Sequence, residues 1–212
     1  IQRPVDAGEL AARSRTQLRR KRYADQLRSH LDEGMEMAVT DALTGLHNRR
    51  YISSRLRQAM DSASNGGAPV SLLLADIDHF KQINDTYGHD AGDRVLRDFS
   101  SRLQTGLRAL ELARVGGGGK AFRYGGEEFV VVMPGAGLAE ARIAAERLRS
   151  SIDGSGFELS DGTSVPVTVS IGIAQAHRGE ALDALLRRAD EALYAAKTAG
   201  RNQVQAADNA AA

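Results

Sequence analysis

The sequence predicts an α+β domain entered through a long helix, and three stretches carry that prediction. Val70 to Ala75 is an unbroken apolar run, the pattern of a central strand buried on both faces. Val167, Val169, Ile171 and Ile173 alternate with Thr168, Ser170 and Gly172 within 165–174, the two-residue period of a half-buried antiparallel strand. Arg123-Tyr124-Gly125-Gly126-Glu127-Glu128-Phe129 lies between two short apolar stretches and reads as a β-hairpin. Glycine at its tip would supply positive φ without steric cost. Helical stripes separate these strands, so strands and helices share one domain.

Composition bounds the rest. The 212 residues, 42% of them hydrophobic, suffice for one domain and an appendage. The net charge of +1 excludes a globally basic or acidic binder. Residues 1–30 nevertheless hold Arg3, Arg13, Arg15, Arg19, Arg20, Lys21, Arg22 and Arg28 against Asp6, Glu9 and Asp25. Such an arm reads as a solvated helix face, and no nucleic-acid partner is expected. Cysteine is absent, which removes disulfides and thiolate metal sites and fits a reducing compartment. No apolar run approaches the roughly 18 residues of a spanning helix, so no membrane segment is expected. The first residue is Ile1, and the chain reads as a fragment of a longer protein.

The elements follow in order. Pro4 keeps Arg3 extended, and Asp6 with Glu9 three residues on can cap a helix to about Val39. Its apolar stripe of Leu27, Leu31, Gly34 and Ala38 is thin, which suits a linker or dimerisation helix over 1–39. Gly45 ends the turn that breaks this helix, and Asn48 caps another through Met60. Ser62 to Pro69 is a loop before the strand at Val70.

That strand ends in Asp76-Ile77-Asp78, and a carboxylate there is costly unless it is paired or binds metal. The second acidic cluster, Glu127-Glu128, favours metal, because hard divalent ions take oxygen ligands. A short helix spans His79 to Thr86, with Phe80 and Ile83 inward and Lys81 and Asn84 not. The next helix buries Val95, Leu96, Phe99 and Leu103. Asn84 and Asp93 across the intervening turn are either caps or an amide and a carboxylate that read a base edge.

Residues 107–115 carry no clear pattern. Gly116 to Gly119 is a flexible insertion without the spacing of a phosphate-binding loop. A helix over 138–152 buries Ala139, Ile143, Ala144, Leu148 and Ile152. Phe157 to Leu159 and Val165 to Ala174 are strands joined through Asp161-Gly162. A helix over 182–198 ends beside Lys197 and Arg201, which either complement the helix dipole or hold phosphates. The domain therefore spans 40–206, with 207–212 a disordered tail.

The ordered motifs Asp41-x-Leu43-Thr44-Gly45-Leu46-x-Asn48-Arg49-Arg50, Asp76-x-Asp78-x-Phe80-Lys81-x-x-Asn84-Asp85, Gly88-His89-x-x-Gly92-Asp93, Arg123 to Phe129, Ser170-Ile171-Gly172, Ala189 to Lys197 and Gly200-Arg201-Asn202 resemble the GGDEF diguanylate cyclase domain. The likeness covers about residues 38–205. Arg3-Pro4-Val5-Asp6 onward is similar to the last helix of a response-regulator receiver domain, which implies an upstream receiver domain. The resemblance implies a central, mainly antiparallel sheet wrapped by helices, akin to nucleotide cyclases and polymerase palms. It implies condensation of two GTP to cyclic di-GMP and two pyrophosphates across a homodimer, in the bacterial cytoplasm.

By that resemblance Asp76, Glu128 and the Ile77 carbonyl hold Mg²⁺ or Mn²⁺, two per site, with Glu127 sharing the metal and assisting deprotonation of the ribose 3′-hydroxyl. Lys81, Lys197 and Arg201 grip phosphates. Asn84 and Asp93 read guanine, with His89 at the border. A non-catalytic domain that senses GTP or cyclic di-GMP is the alternative. An enzyme making a mixed product from ATP and GTP is disfavoured by Asp93, a guanine-type acceptor.

Two departures stand out. Glu127 replaces the aspartate of the signature. The family's product-inhibition motif, Arg-x-x-Asp shortly before the two glycines, falls on Gly116 and Gly119. The nearest match is Arg108-Ala109-Leu110-Glu111, displaced by about eight residues around the glycine run, with Arg147 for a secondary product site. The expectation is a weakened feedback site.

Overall fold

The structure is a computed structural model, and it describes residues 39–112 and 119–207. The expected N-terminal helix, the glycines at 116–118 and all but the first residue of the 207–212 tail lie outside these residues. The chain divides into Ile1–Thr40 and Asp41–Ala212, and the fold below belongs to the second unit.

Six strands form one sheet in the order β1-β3-β4-β2-β7-β8. They are β1 (His47–Asn48), β2 (Val70–Ile77), β3 (Lys120–Gly125), β4 (Glu128–Pro134), β7 (Val169–Gln175) and β8 (Val204–Ala206). β2 is central and antiparallel to both β4 and β7, and β3 is antiparallel to β4. The edge strands β1 and β8 pair parallel to their neighbours. The sheet is thus mainly antiparallel, as expected. Among the described residues five helices cover it: α1 (Arg49–Ser64), α2 (Phe80–Tyr87), α3 (His89–Leu112), α4 (Leu138–Asp153) and α5 (Leu182–Thr198).

Strand parity sorts the core into two layers. Leu73, Ala75 and Ile77 of β2 join Phe129, Val131, Val169 and Ile171 against Val95, Phe99 and Leu103 of α3 and Ala141, Ala144 and Leu148 of α4. Leu72, Leu74, Val130, Val132 and Ala174 face Ile52 and Leu56 of α1 and Leu185, Ala189 and Leu193 of α5. Every residue of β2 is buried, which is why its sequence shows no alternation.

Three expectations are corrected. β7 is buried on both faces apart from Gln175, not half-buried. Its second face is sealed because Gly172 lacks a side chain: a Cβ there would stand 2.1 Å from the Ala189 carbonyl and 2.3 Å from the Leu193 nitrogen of α5. The run at 165–174 is two strands rather than one. β6 (Ser164–Val165) pairs with β5 (Phe157–Glu158) in a separate hairpin, and β7 begins only after Pro166, which cannot donate to a ladder. In α4, Ala139 and Ile143 are exposed, and Ala141 and Ala145 join Ala144, Leu148 and Ile152 in the buried stripe instead. Residues 107–112, which carry no clear sequence pattern, continue α3, whose buried stripe Leu107 and Leu110 extend. Asn48 caps α1 as expected, its side chain accepting from the Arg50 N–H at 3.1 Å.

Candidate active site

Asp76 stands on the last turn of pleat at the C-terminal end of β2, opposite Glu128 at the first position of β4. Parity points both away from the α3/α4 layer, because Asp76 follows Leu72 and Leu74, and Glu128 precedes Val130 and Val132. Directly opposed like charges repel, so two carboxylates here cost stability. Lys197 Nζ, from the last turn of α5, lies 2.8 Å from Asp76 Oδ2. Burial pushes the Asp76 carboxyl up to about 6, against the pull of Lys197, with Glu127 and Glu128 adding to the rise.

The hairpin tip is held from behind. Arg123 directs Nε and Nη2 to the Gly126 carbonyl at 3.1 and 2.9 Å, and Nη1 to both carboxylate oxygens of Asp41 at 3.0 and 3.2 Å. Asp41 also accepts from the Thr44 N–H and hydroxyl at 2.9 and 2.7 Å. Burial works to raise the Asp41 carboxyl, but the Thr44 and Arg123 donors outweigh it and hold it below the usual range. The Ile77 N–H donates to the Glu127 carbonyl at 3.3 Å, which ties the tip to the end of β2. Neither Gly125 nor Gly126 has the positive φ expected of it. The chain reverses at Gly126-Glu127, and the register shifts just before it, between Arg123 and Gly125. A Cβ on Gly125 would touch Glu128 Oε2 at 3.4 Å, and one on Gly126 would meet nothing, so these glycines leave the tip open to a ligand.

Asp78 behaves differently from Asp76. It is 4% exposed and its oxygens accept from Ser170 Oγ at 2.7 Å, Thr168 Oγ1 at 2.7 Å and the Asn202 N–H at 3.0 Å. The Asn202 contact draws the turn after α5 against the end of β2. Gly200, Arg201 and Asn202 all have positive φ in that turn, at 117°, 65° and 44°.

The other predicted residues fall as follows. Lys81 is on the exposed side of α2, and His89 is the exposed first residue of α3. The half-buried Asn84 lies against α3 at Gly92, where a Cβ would fall 1.9 Å from Asn84 Oδ1. Asp93, the next residue, is half-exposed and pairs with Arg97 at 3.9 Å. Arg201 is exposed just past α5. Arg108 and Glu111 line a hollow with Gly45, Gln104 and Gly119, whereas Arg147 lines another with Leu103, Leu110 and Leu148. The structure therefore does not place Arg147 with the displaced pair.

Spacing did not reveal the roles of Asp41, Arg123 and Asn202. Their partners stand 82 and 124 positions away, and the sole sequence signal is that each falls inside a quoted motif.

The donor set suits a hard divalent ion: carboxylates and carbonyls at one sheet end, with the Lys197 ammonium standing where a cation would sit on Asp76. Among the described residues no three acidic or histidine side chains are gathered around one point. Asp76 and Glu128 are cross-strand partners, so their carboxylates share one end of the sheet.

Comparison with known proteins places this geometry. Residues 38–203 match the family described as diguanylate cyclase, GGDEF domain. The response regulator PleD of Caulobacter vibrioides is 52% identical over 206 residues, covering 96% of this chain and 44% of that protein. The diguanylate cyclase DgcP of Pseudomonas aeruginosa is 41% identical over 184 residues, covering 87% of this chain and 26% of that protein. The chain thus spans less than half the length of these relatives. The coiled coil and GGDEF domain of DgcB from Caulobacter crescentus, solved with c-di-GMP, superimposes with a TM-score of 0.78 at 35% identity, over 93% of this chain and 99% of that one. An active GGEEF domain of a diguanylate cyclase from Vibrio cholerae gives 0.67 at 30% identity, over 77% and 98%.

Proposed function

The chain belongs to the GGDEF family of diguanylate cyclases, and from that premise we propose that it condenses two GTP into cyclic di-GMP, releasing two pyrophosphates across a homodimer. The observation that carries the reading is the register of Asp76 with Glu128, beside the Lys197 ammonium, at an open hairpin tip.

Asp76, Glu127, Glu128 and the Ile77 carbonyl would hold magnesium or manganese, two ions per site. Bound there, such ions neutralise phosphate charge and acidify a nearby hydroxyl. Glu127 takes the proton of the attacking 3′-hydroxyl. Lys197, paired with Asp76 at 2.8 Å, would serve the phosphates together with Lys81 and Arg201. Asn84 is held against Gly92 beside Asp93, so an amide and a carboxylate meet the guanine edge, with His89 alongside. Each domain holds one GTP, so the bond-forming step needs two domains face to face. The N-terminal segment, residues 1–39, would set that pairing, downstream of a receiver domain in the cytoplasm of a bacterium. Arg108 and Glu111 would form at most a weakened product site.

The test is pyrophosphate release from GTP with magnesium, measured against protein concentration and with added cyclic di-GMP. The expected result is a rate per chain that rises with concentration. Tight GTP binding without pyrophosphate release would instead mark a non-catalytic sensor.

A further inference from the structure

The turn after α5 carries three consecutive residues of positive φ, and two of them, Arg201 and Asn202, are not glycine. Left-handed backbone is tolerated by Asn but disfavoured for Arg, and at Arg201 it persists where surrounding contacts fix it. Two tethers do so here, and both close on Asn202. The Asp78 carboxylate, 4% exposed, accepts the Asn202 N–H at 3.0 Å. From the opposite side, Arg149 Nη1 on α4 donates to Asn202 Oδ1 at 2.9 Å. Arg149 is itself held by Glu146 at 3.0 Å and Asp153 at 3.5 Å on its own helix. The Arg201 N–H caps α5 through the Ala196 carbonyl at 3.0 Å, so Arg201 is fixed on both sides while its side chain stays exposed.

We propose that Arg149 and Asp78 are positioning residues for the phosphate end of the site: by clamping Asn202 they hold the left-handed turn that carries Arg201 against the end of β2. The inference rests on the reading of Arg201 as a phosphate ligand. A cation on a free loop spends its time elsewhere, whereas one on a clamped turn meets its anion without an ordering cost. The clamp acts on the phosphates and leaves the guanine contacts on α2 and α3 untouched.

The experiment compares equilibrium binding of GTP and of GMP, which shares the base but lacks the outer phosphates. The proteins are the unaltered chain, R201A, R149M, R149K and the double variant E146Q/D153N. R201A and R149M are each expected to weaken GTP about tenfold and to leave GMP within about twofold. R149K, which keeps a donor, should recover part of the loss. E146Q/D153N, which loosens Arg149 on its own helix but leaves its bond to Asn202 available, should weaken GTP by less than R149M does and leave GMP unchanged. Asp78→Ala is avoided because it strands three donors. If R201A weakens GTP and R149M does not, the clamp is overturned while the phosphate reading stands. If R149M weakens GMP as much as GTP, Arg149 is merely structural and the proposal is equally overturned. If R201A leaves GTP binding unchanged, the reading of Arg201 fails and takes the clamp with it.

Discussion

Asp76 and Asp78 lie two residues apart at the end of one strand, both buried, both carboxylates, yet their surroundings differ in kind. Asp78 is saturated by two hydroxyls and a backbone N–H drawn from β7, the residue before it and the turn after α5. Asp76 has one ammonium and faces two further carboxylates. A saturated buried carboxylate organises the fold, while one left short of positive partners stores a demand that an incoming cation can meet. The two regions therefore divide the work of one strand end: the Asp78 knot gives rigidity and the Asp76 edge gives chemistry.

That division can be broken by substitution. Asp78→Ala should have the largest effect, about 3 kcal/mol of stability, since it leaves the buried Ser170 hydroxyl and the half-buried Thr168 and Asn202 donors unmatched. Urea denaturation measures it, and a loss below about 1 kcal/mol would erase the contrast. Glu127→Gln should lower pyrophosphate release about 100-fold or more while stability stays within about 0.5 kcal/mol. An unchanged rate would remove Glu127 from its role. Asp76→Asn should likewise abolish most turnover yet stay within about 1 kcal/mol of the parent stability, because it removes a buried charge that repels its neighbours.

Asp41 sharpens the comparison as an intermediate case, a carboxylate paired with Arg123 and Thr44 but 23% exposed. Its folded-state pKa is depressed, so the stability it adds is fully present above the ordinary carboxylate range and is lost as pH falls through the folded value. Asp41→Asn should cost about 1 kcal/mol at neutral pH and flatten the acid limb of stability, followed by denaturation from about pH 6 to about pH 3. The smallest effect lies outside both regions: Asn48→Ala removes the α1 cap and should cost about 1 kcal/mol or less with turnover unchanged.

Much of the scaffold was legible because it is written locally. The apolar run of β2, the stripe of Val95, Phe99 and Leu103, and the Asn48 cap each declare themselves within a few residues. The two-residue strand β1 is too short to show a period, and it exists only because β3 pairs with it. The buried second face of β7 depends on α5 pressing onto Gly172, a tertiary fact that alternation along one strand cannot contain. At the site, Asp76, Glu127 and Glu128 announced themselves as acidic residues where folding asks for none. Asp78 looked equivalent to Asp76 in the sequence, and only contacts 90, 92 and 124 positions away separate them.

The pairing of β4 with β2 carries one more consequence. Side chains on a strand alternate, so the face on which Glu128 emerges is a matter of odd or even count. Seven consecutive pairs with β2 fix that count for β4, and a slip by one would turn Glu128 toward the α3/α4 layer along with every other side chain of the strand. The alternation that buries Phe129 and Val131 is therefore what keeps Glu128 opposite Asp76.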